Sequence, residues 1–487
     1  MPDSLNGEGN AFPGNTVLVV DLDGTLTPTD TLIESVLQLI KEQPAILFTL
    51  PFWLMKGRAA FKSAIAKRVS FSAASLPINQ ALLEYLGNEK ARGRRIVLAT
   101  AAHRSIAAAV AGKFDLFDSV LASDETRNLK GGKKLKAILE SVGGDFVYAG
   151  DSSADIPIWR EAKGAILVGV SGQVAATVRA RTPIEREFPR KSAGIMVWLR
   201  ALRVHQWLKN LLLFIPVLTA FSFFDIHKDL LCLTAFFAFS FAASATYILN
   251  DIWDLGNDRG HPRKCRRPFA SGIIPIPSGI LAAIALLGVA CLLAGAVSKE
   301  FFAMLAVYVV LTTAYSLRLK HYVLVDVMML SLLFTWRVLS GAVATGIKTS
   351  SWLLAFSMFI FFSLALVKRC SELVSLGKAG RKETEGRDYR VTDLVVLWPL
   401  GIGSALCGMV VFGLFISAPE TMGRYADTRI LWLVAMGMIY WLSRLWIKTA
   451  RGEMHDDPLV YAAKDFGSLF TIVAMLLTTL AAHFIRL

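Results

Sequence analysis

The rhythm of apolar and polar positions changes once along this chain, near residue 200. Residues 1–200 mix charge with short apolar runs, as a water-soluble globular domain does. From Trp207 onward the chain consists of long apolar runs cut by short charged loops. A helix that crosses a bilayer needs about 20 mostly apolar residues. Runs of that kind lie near 208–224, 230–249, 276–297, 301–317, 323–343, 352–368, 393–417, 429–447 and 466–485, which predicts an all-α, nine-helix polytopic membrane domain over 201–487. The fifth run contains Asp326 and Arg337. Ionisable residues at that depth face a protein interior or a polar cavity, so both are candidates for function.

Before residue 200, three apolar runs end in chemistry. Thr16–Val20 leads into Asp21 and Asp23, followed by Gly24 and Thr25. Ile96–Ala99 ends in Thr100, and Phe146–Gly150 ends in Asp151 and Asp155. Runs of this type read as buried parallel strands, and open α/β sheets place their sites at the carboxyl ends of such strands. An α/β domain is therefore predicted over 15–175, followed by a charged linker over 176–200. Residues 1–14 are polar and short of positive charge, unlike a signal peptide, and are expected to be disordered.

Composition agrees with this division. The 487 residues are 54% hydrophobic with a mean hydropathy of +0.51, which a soluble protein of this length rarely reaches. The net charge of +14 sits in alternate loops rather than on a nucleic-acid-binding face, so no nucleic-acid partner is expected. One loop carries Arg259, Arg263, Lys264, Arg266 and Arg267, and another Arg318 and Lys320. A third carries Lys368, Arg369, Lys378, Arg381, Lys382, Arg387 and Arg390, and a fourth Lys448, Arg451 and Lys464. The intervening loops hold only Lys228, Lys299, Lys348 and Arg424. With nine spans, that asymmetry places the N-terminal domain and the basic loops on the cytoplasmic side and the C-terminus outside. The five cysteines have neither metal nor disulfide spacing and imply no oxidising compartment.

The richest loop runs from Asn250 to Pro262. Asp251 and Asp254 are three apart and Asp254 and Asp258 four apart, a spacing that puts all three on one face of a helix. Crowded carboxylates at a membrane surface need a neutralising cation, and Mg²⁺ suits carboxylates shared with phosphate oxygens. Arg259, Arg266 and Arg267 supply cations for a leaving diphosphate.

This NDxxDxxxD segment resembles the first signature of the UbiA superfamily of intramembrane prenyltransferases, and the likeness extends over about 200–487. It implies that Asp251, Asp254 and Asp258 bind Mg²⁺ and the donor diphosphate beside Asn250. The Tyr315–Lys320 segment resembles the family's tyrosine- and lysine-bearing segment, which implies phosphate contact by Lys320. Tyr315 reads equally as an interfacial aromatic. The family's second aspartate-rich motif is absent. In its place stand Lys368, Arg369 and Glu372, which suit a phosphate monoester held directly. That departure resembles the decaprenyl-phosphate phosphoribosyltransferase branch. So do Arg203, Gln206, Trp207, Lys209 and Asn210, the Trp336–Ala342 stretch with Arg337, and the loop His455–Pro458. Arg337 as a structural partner of Asp326, and 455–457 as a plain surface turn, stay open.

The three strand-end motifs, with Lys130, Lys133 and Lys134 between the last two, resemble the four motifs of the haloacid-dehalogenase (HAD) superfamily over 15–175. The likeness implies a Rossmann-like domain in which Asp21 is the nucleophile and Asp23 the acid and base. Thr100 and Lys134, with Lys133 as the alternative, would hold phosphate, and Asp151 and Asp155 would complete a second Mg²⁺ site with Asp21. Residues 30–90 fit the helical cap of that superfamily. The cap contains the apolar run Ile46–Met55, which is too short to span and is broken by Pro51. It is either cap core or a patch resting on the membrane or on the other domain.

Together the resemblances imply a bifunctional enzyme of a bacterial-type inner membrane. It would transfer 5-phosphoribose from 5-phosphoribosyl-1-diphosphate to a polyprenyl phosphate, and the HAD domain would remove the 5-phosphate. The product would feed arabinofuranose or ribofuranose donors for the cell envelope. The alternative is a conventional prenyltransferase with an isoprenyl diphosphate donor and an unrelated phosphatase. Isoprenoid length and homo-oligomerisation are left open.

Overall fold

The computed structural model describes residues 16–485 except 70, 72, 74, 75, 126, 190–192, 382–386, 455 and 456. The N-terminal segment expected to be disordered, Lys382, His455 and Asp456 lie outside the described residues. Close contacts divide the chain into two units, 1–201 with 248–281, and 202–247 with 282–487. The aspartate-rich loop thus groups with the N-terminal domain.

In the first unit six parallel strands form one sheet: β1 (Val17–Val20), β2 (Ile96–His103), β3 (Ser119–Ser123), β4 (Phe146–Gly150), β5 (Gly164–Val168) and β6 (Ile184–Phe188), in the order β3-β2-β1-β4-β5-β6. β1, β4 and β5 are almost wholly buried, as near-continuous apolar runs in a parallel sheet must be. Alternate residues feed two cores. Leu18, Val20, Leu98, Val147 and Ala149 pack on one face, and Val19, Val97, Phe146 and Tyr148 on the other. Each such fully buried aliphatic side chain contributes about 1.5–3 kcal/mol.

Two expected boundaries move. β6 falls inside the segment read as linker. Its Ile-Glu-Arg-Glu-Phe sequence is charged because it is an edge strand. Arg94, buried, ties it down by pairing with Glu185 at 2.5 Å and Glu89 at 2.8 Å. Helix Gln80–Ala91, expected in the cap, sends Leu82, Tyr85 and Leu86 into the sheet core instead. The cap proper holds helices α1 (Thr31–Glu42), α2 (Leu50–Met55) and α3 (Arg58–Ala66).

The side chain of Asp30 caps α1 by accepting from the amides of Leu32 and Ile33, and Thr31, Ser35 and Leu39 form its buried face. The other face of α1 meets the aspartate-rich loop. Both guanidinium nitrogens of Arg259 donate to Glu34, at 2.9 and 2.6 Å, and Arg259 Nε donates to the carbonyl of Ala270. Seven residues on, and so on the same face, the Lys41 ammonium lies 5.8 Å from the centre of the Trp253 ring. Burial lowers the pKa of that ammonium.

Among the described residues, eight helices are long and apolar enough to cross a membrane: Ile226–Trp253, Ile276–Val297, Lys299–Leu317, Val325–Thr345, Ser351–Lys378, Val391–Ile416, Thr428–Arg451 and Phe466–Phe484. The chain is therefore polytopic. The ninth expected span, near 208–224, is a 3₁₀ stretch Val204–Phe214 followed by the short helix Ile215–Thr219. Pro216 has no amide to continue a regular ladder from the preceding turn. The expected placing of the C-terminus opposite the N-terminal domain rests on a ninth crossing, which these two short elements do not establish. In the second unit the 3₁₀ stretch packs tightly: a Cβ on Gly341 would lie 2.0 Å from the carbonyl oxygen of Leu213.

The Arg259–Glu34 pair is largely buried, so breaking it strands a charge at a cost of about 3 kcal/mol. Glu34→Arg is expected to lower the thermal midpoint of the purified chain, and adding Arg259→Glu to recover most of the loss. Equal midpoints for Glu34→Arg and wild type would show that the pair carries no stability.

Candidate active sites

The strand order dictates the first site. After β1 the chain goes to one side to make β2 and β3, then returns to place β4 on the other side of β1. Side chains just past β1 and β4 therefore meet at the switch point. Val20 is in register with both Leu98 and Ala149, so Asp21 and Asp151 emerge next to one another. Asp21, Asp151 and Asp155 each offer an oxygen within 4.8 Å of the others. Gly24, with φ at +78°, turns the chain there, and a Cβ on it would come within 2.1 Å of the Asp151 carboxylate. Only glycine fits that turn.

Lys134, buried at the start of helix Gly132–Val142, places Nζ 2.7 Å from Asp21 Oδ2 and 2.7 Å from the Tyr148 hydroxyl. Lys133, the alternative, is exposed. Tyr148 in turn donates to Asp155 Oδ1 at 2.9 Å, and the Ser152 amide and hydroxyl hold Asp155 Oδ2. Burial raises the Asp21 carboxyl above the ordinary range while Lys134 opposes the rise. Burial, then the Asp21 charge, lifts Asp151 to about 7. Asp23, which accepts the Thr31 amide at 2.8 Å, is lifted to about 7 by burial and next by Asp30. Three carboxylates, with Asp151 half-buried, facing one lysine leave negative charge that a divalent cation bound by oxygen ligands would neutralise, so the residues fit Mg²⁺.

These groups line a cavity of about 290 Å³ together with Lys62, Ala101, Ala102, His103, Lys130 and Gly131. Thr100, one residue before the cavity-lining Ala101, is fully buried, and its hydroxyl accepts the Ala102 amide at 3.0 Å. Lys62 comes from α3 and donates to the Ala101 carbonyl at 2.6 Å. Sequence reasoning passed over Tyr148 and Lys62. A hydroxyl inside an apolar strand, three residues before Asp151, was a usable signal for Tyr148. Lys62 had none, because only tertiary folding brings it there.

The aspartate-rich loop is arranged differently from the single helical face expected. Helix Ile226–Trp253 ends before Asp254, which stands at the head of the separate helix Leu255–Gly260. The three carboxylates do not form a cluster at ligand distance among the described residues. Instead one guanidinium nitrogen of Arg267 donates to both Asp251, at 3.1 Å, and Asp258, at 2.7 Å. Asn250 donates to Asp254 at 3.1 Å. The Arg267 nitrogen occupies a position where a cation is held by two buried aspartates, so Asp251 and Asp258 fit a metal, with Asp254 set apart. Arg266 is exposed, whereas Arg259 is committed to Glu34.

In the second unit, Lys209 and Lys368 converge on Asp457 Oδ2, at 2.9 and 3.2 Å. Their two positive charges outweigh the cost of burial and hold Asp457 at about 2. They stand at the polar end of a small pocket lined by Leu330, Phe334, Phe361, Leu364 and Ala365. Arg369, one residue from Lys368, points elsewhere. It is fully buried, pairs with Asp326 at 2.8 Å and also with Glu372, and lies over the Tyr389 ring. Tyr315 donates to the same Asp326 at 2.7 Å. Arg337 is not the partner of Asp326. It donates to Asn210, the Leu333 carbonyl and Tyr308. Lys320 lies half-buried in the turn Leu319–His321.

Comparison with known proteins follows the same division. Residues 211–484 match the UbiA prenyltransferase family, and residues 18–160 match the haloacid dehalogenase-like hydrolases. A protein of Sinorhizobium fredii designated y4nM is 38% identical over 469 residues, 95% of this chain and 90% of that protein. Nodulation protein NoeC of Azorhizobium caulinodans is 35% identical over 58% of this chain and 92% of its own length. Decaprenyl-phosphate phosphoribosyltransferase of Mycobacterium tuberculosis is 34% identical over 46% of this chain and 74% of its own. The chain belongs to the UbiA prenyltransferase family and carries a haloacid dehalogenase-like domain at its N-terminus.

Proposed function

We propose that this chain transfers 5-phosphoribose from 5-phosphoribosyl-1-diphosphate to a polyprenyl phosphate, and that its N-terminal domain then removes the 5-phosphate. The observation that carries the reading is the lysine pair. Lys209 and Lys368 meet beside a small recess lined by Phe334, Phe361 and Leu364, where a lipid phosphate would set its charged head on the lysines. The mycobacterial relative, named a decaprenyl-phosphate phosphoribosyltransferase, supports the transfer step.

In the transfer, a lipid phosphate oxygen attacks carbon 1 of the sugar. The bond from carbon 1 to the diphosphate oxygen breaks, and pyrophosphate leaves with the electron pair. The nucleophile is already an anion, so no strong base is needed, and positioning with charge neutralisation accounts for the rate. Asp251 and Asp258 would hold Mg²⁺ when it is bound, supplying neutralisation of the leaving diphosphate. Arg267, next to them, is placed to share that charge.

In the hydrolysis, Asp21 attacks the phosphorus while Lys134 holds the oxygen on its other side. Asp23 gives its proton to the departing sugar oxygen, and later takes one from the water that attacks the phosphorus, breaks its bond to Asp21 and releases inorganic phosphate. Asp21, Asp151 and Asp155 would hold the second Mg²⁺. A second reading, favoured by the family itself, has an isoprenyl diphosphate donor and a small acceptor.

Purified chain given 5-phosphoribosyl-1-diphosphate, polyprenyl phosphate and Mg²⁺ is expected to release pyrophosphate. Consumption of isoprenyl diphosphate instead would establish the second reading. Neighbouring residues are expected to part company. Lys368→Leu loses a hydrogen bond to a charged group, raising KM for the lipid roughly tenfold or more with the thermal midpoint nearly kept. Arg369→Leu leaves the buried Asp326 without its cation and costs about 3–5 kcal/mol. Equal midpoints for the two variants would contradict this division of roles.

A further inference from the structure

The insert over the phosphatase cavity carries an outward apolar face. Between residues 16 and 194, large apolar side chains that stay exposed are Leu139 and a group within nine residues of the cap: Leu47, Phe48, Phe52, Leu54 and Met55. Phe48 is 78% exposed, Phe52 67% and Met55 84%. The segment is nonetheless anchored. Ile46 and Trp53 turn inward to pack with Leu39, Ile65 and Val69. Cap core therefore accounts for one side of this run and leaves the other exposed among the described residues. Contiguous apolar surface of this kind marks a contact with something else.

What covers it is indicated by where the cap is fastened. Glu34 and Lys41, on one face of α1, hold the loop that joins helices Ile226–Trp253 and Ile276–Val297, both apolar enough to cross a membrane. Lys41 lies over Trp253, the last residue of the first of these helices. Phe48 follows Lys41 by only seven residues. Exposed cations border the patch: Lys56 follows Met55, and Arg68 lies 4.6 Å over the Trp53 ring. Aromatic and aliphatic side chains flanked by Lys and Arg are what binds the boundary between acidic head groups and acyl chains.

We propose that Phe48, Phe52 and Met55 rest in the interfacial layer of the bilayer, so that the phosphatase cavity receives its phosphate from a lipid carrier. The second half of the statement rests on the phosphatase reading above; the first does not. Trp53, held inward, fixes the depth of the segment. Lys62 and Ile65 of α3, the next helix, line the cavity and link the patch to the site.

The test uses the full chain, its five native cysteines replaced by alanine, in vesicles of phosphatidylcholine and phosphatidylglycerol. Nitroxide labels are placed at Phe48→Cys, Met55→Cys and, as a reference, Glu140→Cys on an exposed helix of the sheet domain. Labels at 48 and 55 should relax with dissolved oxygen and be shielded from a water-soluble nickel chelate, and the label at 140 should do the reverse. Nickel access at 48 and 55 equal to that at 140 overturns the proposal. So does dipolar broadening at 48 and 55 that disappears on dilution with unlabelled chain, since a second copy would then cover the patch. In addition, Phe48→Asp with Met55→Asp should slow hydrolysis of a lipid-borne phosphate monoester roughly tenfold, by loss of local concentration, and leave hydrolysis of p-nitrophenyl phosphate unchanged. Equal loss on both substrates would overturn the link between patch and substrate. If wild type hydrolyses neither ester, the phosphatase reading fails, while the label depths still decide where the patch lies.

Discussion

A carboxylate taken out of water must be matched by positive charge or by a proton, at a cost of several kcal/mol if it is not. This chain meets that demand in different ways at different places. Asp326, buried in the first turn of an apolar helix, is answered by Arg369 and Tyr315. Asp251 and Asp258 share one nitrogen of Arg267. Asp457 takes two lysines at once. Asp21, Asp151 and Asp155 have one buried lysine among them, and two of the carboxyls of that site rise to about 7. Balanced charge marks architecture, and unbalanced charge marks chemistry. Excess acid at the sheet fits a metal, and excess base at Lys209 and Lys368 fits an anion.

Much of the sheet site could be read from the sequence because its parts stand at strand ends, and strand ends are legible from apolar runs. Asp21 and Asp151 needed only the rule that parallel strands expose chemistry at their carboxyl ends. What could not be read was orientation across long distances. Lys133 and Lys134 are equivalent in a string of letters, and only the start of a helix turns the second one inward. Lys368 and Arg369 looked like a pair, yet adjacent helical residues point about 100° apart, so one meets Asp457 and the other Asp326. Arg337 and Asp326 were natural partners by proximity, but Asn210 and Tyr308 claim the arginine. β6 was hidden because an edge strand of alternating charge resembles a linker. The break before Asp254 was hidden because spacing alone cannot tell one helix from two.

The two sites make chemical sense in one chain. The proposed phosphoribosyl lipid would carry a phosphate monoester, the class of group a haloacid dehalogenase-like cavity would take. Hydrolysis of the ester would draw the transfer forward. Physical attachment would keep the second site at high effective concentration over the product of the first. The contact of α1 with the aspartate-rich loop is then part of the logic of the fusion, since it ties the phosphatase cap to the loop that would hold the donor.

The central claim is that the two activities act in sequence on one lipid. It is tested most directly by supplying membranes with sugar-labelled 5-phosphoribosyl-1-diphosphate, polyprenyl phosphate and Mg²⁺, and identifying the labelled lipid made by wild type and by Asp21→Asn. Dephosphorylated ribosyl lipid from wild type and phosphoribosyl lipid accumulating in Asp21→Asn is the predicted result. The same lipid from both would contradict the sequence of steps, and no labelled lipid from either would remove phosphoribosyl transfer altogether.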